Sequence, residues 1–329
     1  MPLNIALVGC GRASQQLHLP ALARRRKDFD KIWLVDPSAK AREMACSIVA
    51  AEQSATLGDV ADDLHFVIVA SPNANHFYAA RESLLRGAHV LVEKPFAIWP
   101  EEARELINVG AQAQRLIAVN QTRRFFPYTQ ELQRRISSGE FGAIKSIVHN
   151  EGQKLSWEFL SGATFEKNAR RTGVIMDIGV HVLDFYQYLL NPTWVYGSSI
   201  HDGFSGPEGL AELWLQVSNA PVSIRLSRYQ QQENLADLYF EGAQVRIDLS
   251  KQNAYSVTRE SGGKKRKFTS QSRPMDISTL SDSILSNFIA AAIGRERIMC
   301  DARSALPVIE LLDDIYRCAK HYPATPGKV

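Results

Sequence analysis

Asp177, His181 and Asp184 punctuate a run that is otherwise almost wholly apolar, Gly173-Val174-Ile175-Met176-Asp177-Ile178-Gly179-Val180-His181-Val182-Leu183-Asp184-Phe185-Tyr186. Wound as an α-helix, the three fall at i, i+4 and i+7, on one face. A polar stripe on a helix buried on its other sides must be satisfied by protein partners or by a ligand. A histidine with a carboxylate one turn away has its basicity and orientation set by that neighbour, which suits a general base. It also suits a structural histidine in a buried hydrogen-bond network, and the helix taken alone favours that plainer reading.

Three further segments carry chemistry. Val8-Gly9-Cys10-Gly11-Arg12-Ala13-Ser14 lies between an apolar strand run and a helical pattern. Gly9 and Gly11 permit a tight turn and close backbone approach to a pyrophosphate, with helix N–H groups facing the phosphates. Ser14 stands where the dinucleotide fingerprint has its third glycine, so the motif is incomplete. Asp36 follows the second strand and could accept ribose hydroxyls while repelling a 2′-phosphate, which favours NAD. It could instead cap the next helix or pair with Lys40. Ala70-Ser71-Pro72-Asn73 and Glu93-Lys94-Pro95 each follow a strand end, where ligands of open parallel sheets collect. There Lys94 could polarise a substrate oxygen or pass a proton; a surface Glu–Lys pair at a turn is the plainer alternative.

The elements that must position these residues are legible in the pattern. Runs at 4–8, 32–35, 66–69, 89–92 and 116–119 are apolar throughout, as strands buried on both faces are. Helical segments at about 14–26, from Pro37-Ser38, at about 74–86 closed by Gly87, and from Pro100 alternate with them. That alternation predicts a doubly wound parallel sheet. A helix near 127–138 follows, and then the period changes. Leu213, Leu215 and Val217, then Val222, Ile224 and Leu226, then Val245, Ile247 and Leu249, alternate with polar residues, as in an antiparallel or mixed sheet. Helices at about 279–293 and 302–320 close the chain. The expected organisation is an α/β protein with a dinucleotide-binding domain over 1–122. The rest of the chain, 123–329, is expected to form a second domain around the antiparallel or mixed sheet.

Composition narrows the partners. The chain has 329 residues, and 38 Lys and Arg against 35 Asp and Glu leave a formal net charge of +3, which gives no reason to expect nucleic acid or an anionic membrane. The run Lys264-Lys265-Arg266-Lys267 follows Gly262-Gly263 and reads more simply as a solvated hairpin than as a polyanion site. Neither a signal peptide nor a membrane helix is evident. Cys10, Cys46, Cys300 and Cys318 show no short paired spacing, so neither zinc nor a disulfide framework is expected, and a reducing cytoplasm is.

Taken together, these segments resemble the Gfo/Idh/MocA family, the relatives of glucose–fructose oxidoreductase and inositol dehydrogenase. The resemblance rests on the glycine turn at 9–14, Ser71-Pro72-Asn73 with His76, Glu93-Lys94-Pro95, Arg123-Arg124-Phe125 and the Asp177-x-Gly179-x-His181-x-x-Asp184 helix, and it covers almost the whole chain. One departure is Thr172, which precedes Gly173 where the family often has further glycines. The resemblance implies a Rossmann domain followed by an α/β domain over 123–329 with a large open, mostly antiparallel sheet, which binds substrate and forms the interface of a homodimer or homotetramer. It implies NAD as cofactor, with NADP possible, held by Gly9, Gly11, Arg12, Ala13, Asp36, Ser71, Asn73, His76, Glu93, Lys94, Gln121 and Arg124. It implies a catalytic set of Lys94, Asp177 and His181 and no metal. His181 would take the hydroxyl proton, Lys94 would orient the oxygen, and Asp177 would hold the imidazole or the substrate.

The activity implied is hydride transfer between the nicotinamide and a hydroxyl or carbonyl carbon of a sugar, sugar derivative or cyclitol. An NAD-dependent glycosidase without net redox, and a non-enzymatic dinucleotide-binding regulator, are the competing readings; a pure sensor has no need of the three catalytic residues. Trp157, Phe165, Asn168 and Arg170 are the candidates for lining a substrate pocket.

Overall fold

The computed structural model describes residues 3–61, 63–154, 171–203, 207–251, 253–261 and 264–322. Trp157, Phe165, Asn168 and Arg170 lie outside them. The chain forms two compact units, Met1–Phe125 with Met275–Ile309, and Phe126–Pro274 with Glu310–Val329.

The first unit is built on six parallel strands, β1 (Asn4–Val8), β2 (Lys31–Val35), β3 (Glu52–Ser54), β4 (Phe66–Val69), β5 (His89–Glu93) and β6 (Ile117–Asn120), in the order β3-β2-β1-β4-β5-β6. This is the order of the dinucleotide-binding fold, with the switch point between β1 and β4. Every residue of β4 and β6 is buried, as strands between helix layers require. Helices α1 (Leu19–Arg24), α2 (Ala39–Cys46), α3 (Asn73–Leu85) and α4 (Pro100–Ala113) make the crossovers. Their limits follow from local chemistry: the Ser38 hydroxyl caps α2 by accepting from the Ala41 amide. Gly87, at φ +80°, turns the chain out of α3. β3 is short and mostly polar and gave no apolar run to read.

A single cut after residue 122 does not describe the units. Helix α7 (Ile277–Ala292) and the segment after it return to the first unit. Phe288 packs edge-on against Phe66, 5.7 Å between ring centroids. The Val119 amide donates to the Cys300 carbonyl, and Arg24 forks onto Asp282. The returning segment covers apolar surface of the first sheet, and no local feature of the sequence announces that reach.

The second unit carries nine strands: β7 (Ile144–Gly152), β8 (Trp194–His201), β9 (Leu210–Val217), β10 (Ala220–Ser227), β11 (Leu235–Phe240), β12 (Gln244–Asp248), β13 (Ala254–Ser261), β14 (Lys264–Gln271) and β15 (Lys320–His321). Their order is β14-β13-β12-β11-β7-β10-β9-β8-β15, antiparallel except where β10 meets β7 and β15 meets β8. Residues alternate between a buried face and an outer one, so Leu213, Leu215, Ile224 and Val245 are buried while Val148, Trp214 and Tyr239 are exposed. Helices α5 (Pro127–Ser137) and α6 (Val180–Leu190) belong to this unit, and α8 (Ala302–Cys318) joins it from Glu310 onward. Among the described residues no helix is long and apolar enough to cross a membrane.

Candidate active site

In the first unit the glycine turn is a backbone device. Gly9 has φ +95°, and a Cβ there would lie 2.6 Å from the backbone of Ala70 and Ser71, so only glycine lets the β1 and β4 ends approach. A Cβ on Gly11 would meet nothing within 4 Å, which leaves its surroundings open for a ligand. Ser14 replaces the third glycine by turning inward, its hydroxyl donating to the Gly9 carbonyl at 2.5 Å. The helix begins with a wide π-type turn over Ser14–His18, in which the Leu19 amide reaches back to the Ser14 carbonyl. Such turns are uncommon and recur at functional sites.

Several residues expected to touch a nucleotide hold this cradle together. Asp36 accepts from the Cys10 amide at 2.9 Å and the Ser38 amide at 2.8 Å, tying the end of β2 to the glycine turn. His76 is 1 % exposed, and its ring nitrogens contact the Pro95 and Ser71 carbonyl oxygens, each at 2.7 Å. Burial holds that imidazole below its ordinary range, against the pull of the two carbonyl contacts and of Glu93. Gln121 and Arg124 are buried; Arg124 reaches the Met299 carbonyl at 3.2 Å and holds the returning segment. Arg12 is exposed, and Ala13, Asn73 and Lys94 are half-buried.

Glu93 is the hub beside Lys94. It is 8 % exposed and accepts from the His18 ring nitrogen and the Asn120 amide, both at 2.7 Å, and from the Lys94 amide at 3.3 Å. Burial alone would raise its pKa. The His18 hydrogen bond and charge, the Asn120 bond and the Lys94 charge outweigh burial and hold the carboxyl below its ordinary value. Two buried oxygens at the strand ends, Ser71 Oγ and Asn120 Oδ1, have no hydrogen-bond partner among the described residues. With the open space at Gly11, these orphaned acceptors fit a polar ligand laid across the strand ends, as a dinucleotide is.

The second unit holds Asp177 and His181. The segment Ile175–Gly179 is again a π-type turn, the Val180 amide reaching the Ile175 carbonyl, and α6 continues from it. That turn corrects the single stripe expected of a regular α-helix. Asp184 is 1 % exposed and belongs to the interior, whereas the Asp177 side chain is 44 % exposed and His181 half-buried. A wider turn spaces residues differently around the axis, so i, i+4 and i+7 no longer share one face.

Sequence reasoning missed the groups that hold this helix. Arg228, just past β10, forms an ion pair with Asp177. Glu208 is 4 % exposed and accepts from the Ile175 amide at 3.0 Å and the Tyr316 hydroxyl at 2.7 Å. A Cβ on Gly173 would overlap Glu208, which is why glycine stands there. His149, fully buried on β7, contacts the Tyr186 hydroxyl at 2.9 Å and Glu151 at 3.0 Å. The one available signal was a histidine and a glutamate two residues apart, which in a strand share a face. Among the described residues no group of His, Cys, Asp and Glu could hold a metal ion.

A parallel sheet in the order 3-2-1-4-5-6 with a glycine turn at its switch point, joined to a unit with a large open sheet, defines a two-domain dehydrogenase-type fold. The family follows from comparison. Residues 3–121 match the model of the GFO/IDH/MocA oxidoreductase family with its NAD-binding Rossmann fold, residues 129–254 match the family's C-terminal domain, and the chain belongs to this family. The chain is 28 % identical over 197 residues to D-glucoside 3-dehydrogenase of Escherichia coli (strain K12), covering 57 % of this chain and 54 % of that one. It is 26 % identical over 200 residues to glucose-6-phosphate 3-dehydrogenase of Bacillus subtilis (strain 168), covering 58 % and 55 %. It thus spans about half the length of the curated relatives it matches. Among solved structures it is similar in fold to KijD10, a 3-ketoreductase from Actinomadura kijaniata in complex with NADP, with a TM-score of 0.81 at 16 % identity over 98 % of this chain and 100 % of that one.

Proposed function

We propose that this chain transfers a hydride between NAD(P) and the C3 carbon of a glucose-type sugar or a related cyclitol. The observation that carries the reading is an accessible Asp177 and a half-buried His181 on an otherwise buried helix, in a chain of an oxidoreductase family. Two relatives described above, D-glucoside 3-dehydrogenase and glucose-6-phosphate 3-dehydrogenase, are named for the sugar 3-position, and this supplies the carbon.

When bound, the nicotinamide accepts or returns the hydride. The backbone at Gly9 and Gly11, with Ser71 and Asn73, would hold the dinucleotide, and Asp36 at the end of β2 favours NAD over NADP. Neutral His181 takes the hydroxyl proton during oxidation, and Lys94 stabilises the charge developing on that oxygen. Oxidation therefore rises with pH as the imidazole loses its proton. None of the four cysteines is in a disulfide, which suits a reducing cytoplasm. Val148, Trp214 and Tyr239 on the outer face of the second sheet suit a homodimer or dimer of dimers, and a monomer in light scattering at micromolar concentration would refute that assembly.

The test of the activity is a spectrophotometric screen of sugars and cyclitols with NAD and with NADP, followed by His181→Ala on the best substrate. Turnover should fall ~10²–10⁴-fold with nucleotide affinity nearly unchanged. Near-normal hydride transfer in a folded alanine variant removes His181 from the mechanism. Glycoside cleavage without net cofactor turnover would point to the glycosidase reading.

A further inference from the structure

Arg228 sits where three strand ends and one helix meet within the second unit. β10 runs parallel to β7, with Leu226 beside Glu151 and Ser227 beside Gly152. The ends are drawn close: a Cβ on Gly152 would lie 2.6 Å from the Ser227 carbonyl oxygen. The Ser227 hydroxyl accepts from the Tyr229 amide at 3.2 Å, and the Arg228 amide donates to the Gly209 carbonyl at 2.7 Å. Gly209 itself is required, because a Cβ there would overlap the Tyr229 ring. The backbone carrying Arg228 is therefore pinned on both sides before its side chain makes any contact.

From this platform the guanidinium reaches Asp177, and its own side chain is only 16 % exposed. Burial lowers its pKa, and Glu151 is the charge that opposes the shift. Glu151 is held in turn through His149, whose ring bridges Glu151 and the Tyr186 hydroxyl. With a neutral ring, Nε2–H donates to the carboxylate and Nδ1 accepts the phenol proton, so each group has a partner of the right kind. Hydrogen bonds thus link Tyr186 on α6 to His149 and Glu151 on β7, an ion pair links Arg228 to Asp177 at the start of the same helix, and Glu151 acts on Arg228 through its charge.

We propose that Arg228 is a positioning residue of the reaction: anchored through its backbone at the end of β10 and ion-paired with Asp177, it keeps the Asp177 carboxylate ionised and in place for the reaction that His181 serves. This rests on the function proposed above. Among the described residues, the charged and titratable groups on the elements that meet at this helix include Arg228 beyond β10, Glu151 and His149 on β7, Glu208 at the first turn of the helix, and His181 and Asp184 on the helix itself. Arg228 is the cation among these described groups that pairs with Asp177. Removing it must make Asp177 harder to ionise, and removing Glu151 must make it easier. Opposite signs from neighbouring substitutions are the mark of charge, because local damage to packing moves both variants the same way.

The experiment follows the Asp177 carboxyl by carbon NMR in the full chain without cofactor, alongside the pH–rate profile. Wild type, Arg228→Gln, Arg228→Lys and Glu151→Gln are compared, with melting temperatures to confirm folding. Arg228→Gln should lower turnover ~10- to 100-fold, as a displaced catalytic group does, with nucleotide affinity unchanged. It should move the Asp177 titration and the acid limb of the profile to higher pH together. Arg228→Lys should restore both positions, and Glu151→Gln should move the titration to lower pH. An unmoved Asp177 titration in Arg228→Gln overturns the hold on Asp177. A moved titration with unchanged turnover overturns the role in the reaction. A wild type that turns over no sugar with either nucleotide sinks the function itself, and is distinguishable because the carboxyl titration needs no turnover.

Discussion

Two glutamates, one in each unit, are buried almost equally and respond in opposite ways. Glu93 is 8 % exposed and Glu208 is 4 % exposed. Burial pushes both carboxyls upward. At Glu93 the His18 ring, the Asn120 amide and the Lys94 charge more than cancel that push, and the group ends below its ordinary 4.5. At Glu208 the Tyr316 hydroxyl and backbone amides offset only part of it, nearby Asp202 adds to it, and the group ends above. The partners decide the sign: Glu93 has cationic or ionisable nitrogen beside it, while Glu208 is held by neutral donors alone among the causes that act on it. Each glutamate also supports a candidate site, Glu93 beside Lys94 and Glu208 at the first turn of the Asp177 helix, so the difference can be read functionally.

The sharpest way to break the comparison is Glu93→Gln. Removing one partner of a buried charged cluster leaves the others uncompensated, and the expected loss at neutral pH is about 3 kcal/mol. Because the folded-state pKa lies below 4.5, the stabilisation from Glu93 is present above that pH and is lost as pH falls through the folded value. Denaturant melts of wild type and variant should therefore converge in acid. A gap that stays constant down to pH 3 would mean that shape, not charge, sets the role of Glu93.

The contrast between the units also explains what could be read from the sequence. In the first unit the strands, the glycine turn and the capped helices are set by residues within a few positions of one another, and all the apolar runs identified became strands. The side chains nominated there proved harder to place. Asp36, His76 and Arg124 are spent on backbone groups, Arg124 at a distance of 175 positions. In the second unit, Arg228 lies 51 positions from Asp177, and Tyr316 lies 108 from Glu208. No spacing rule spans such intervals, so the helix was legible and its supports were not. Likewise β7 and β11 escaped notice, since a central strand carrying His149, Asn150 and Glu151 breaks the simple alternation.

Glu208→Gln should show the opposite pH dependence to Glu93→Gln, and a smaller effect. The amide keeps an acceptor for Ile175 and Tyr316, so at neutral pH the change in stability should stay within about 1 kcal/mol. For an acid whose folded pKa is raised, folding favours the protonated form, and wild-type stability declines as pH climbs from 4.5 through the folded value. The glutamine variant lacks that decline. Its melting temperature relative to wild type should therefore rise with pH across this interval. A relative fall would show that Glu208 is held as a carboxylate, like Glu93.

The smallest and cleanest change is Tyr316→Phe, which removes a single oxygen. Tyr316 is half-buried as a residue, and burial of its hydroxyl first, then the Glu208 charge, raise its own pKa well above 10.0, so the phenol stays protonated and donates. The ring would keep its place under Arg171, whose guanidinium carbon lies 5.3 Å from the centroid, because phenylalanine offers the same face. What is lost is one buried hydrogen bond, worth roughly 1 kcal/mol. The variant should also raise the Glu208 pKa further, since the Tyr316 bond is the largest influence lowering it. The decline of stability with rising pH should then begin at the same point and run on to a higher pH than in wild type. Double substitution with Glu208→Gln should erase that difference while retaining part of the constant loss. If Tyr316→Phe lowers stability equally at every pH, the hydroxyl only fills space, and the contrast between the two glutamates has to be assigned to burial and Asp202 alone.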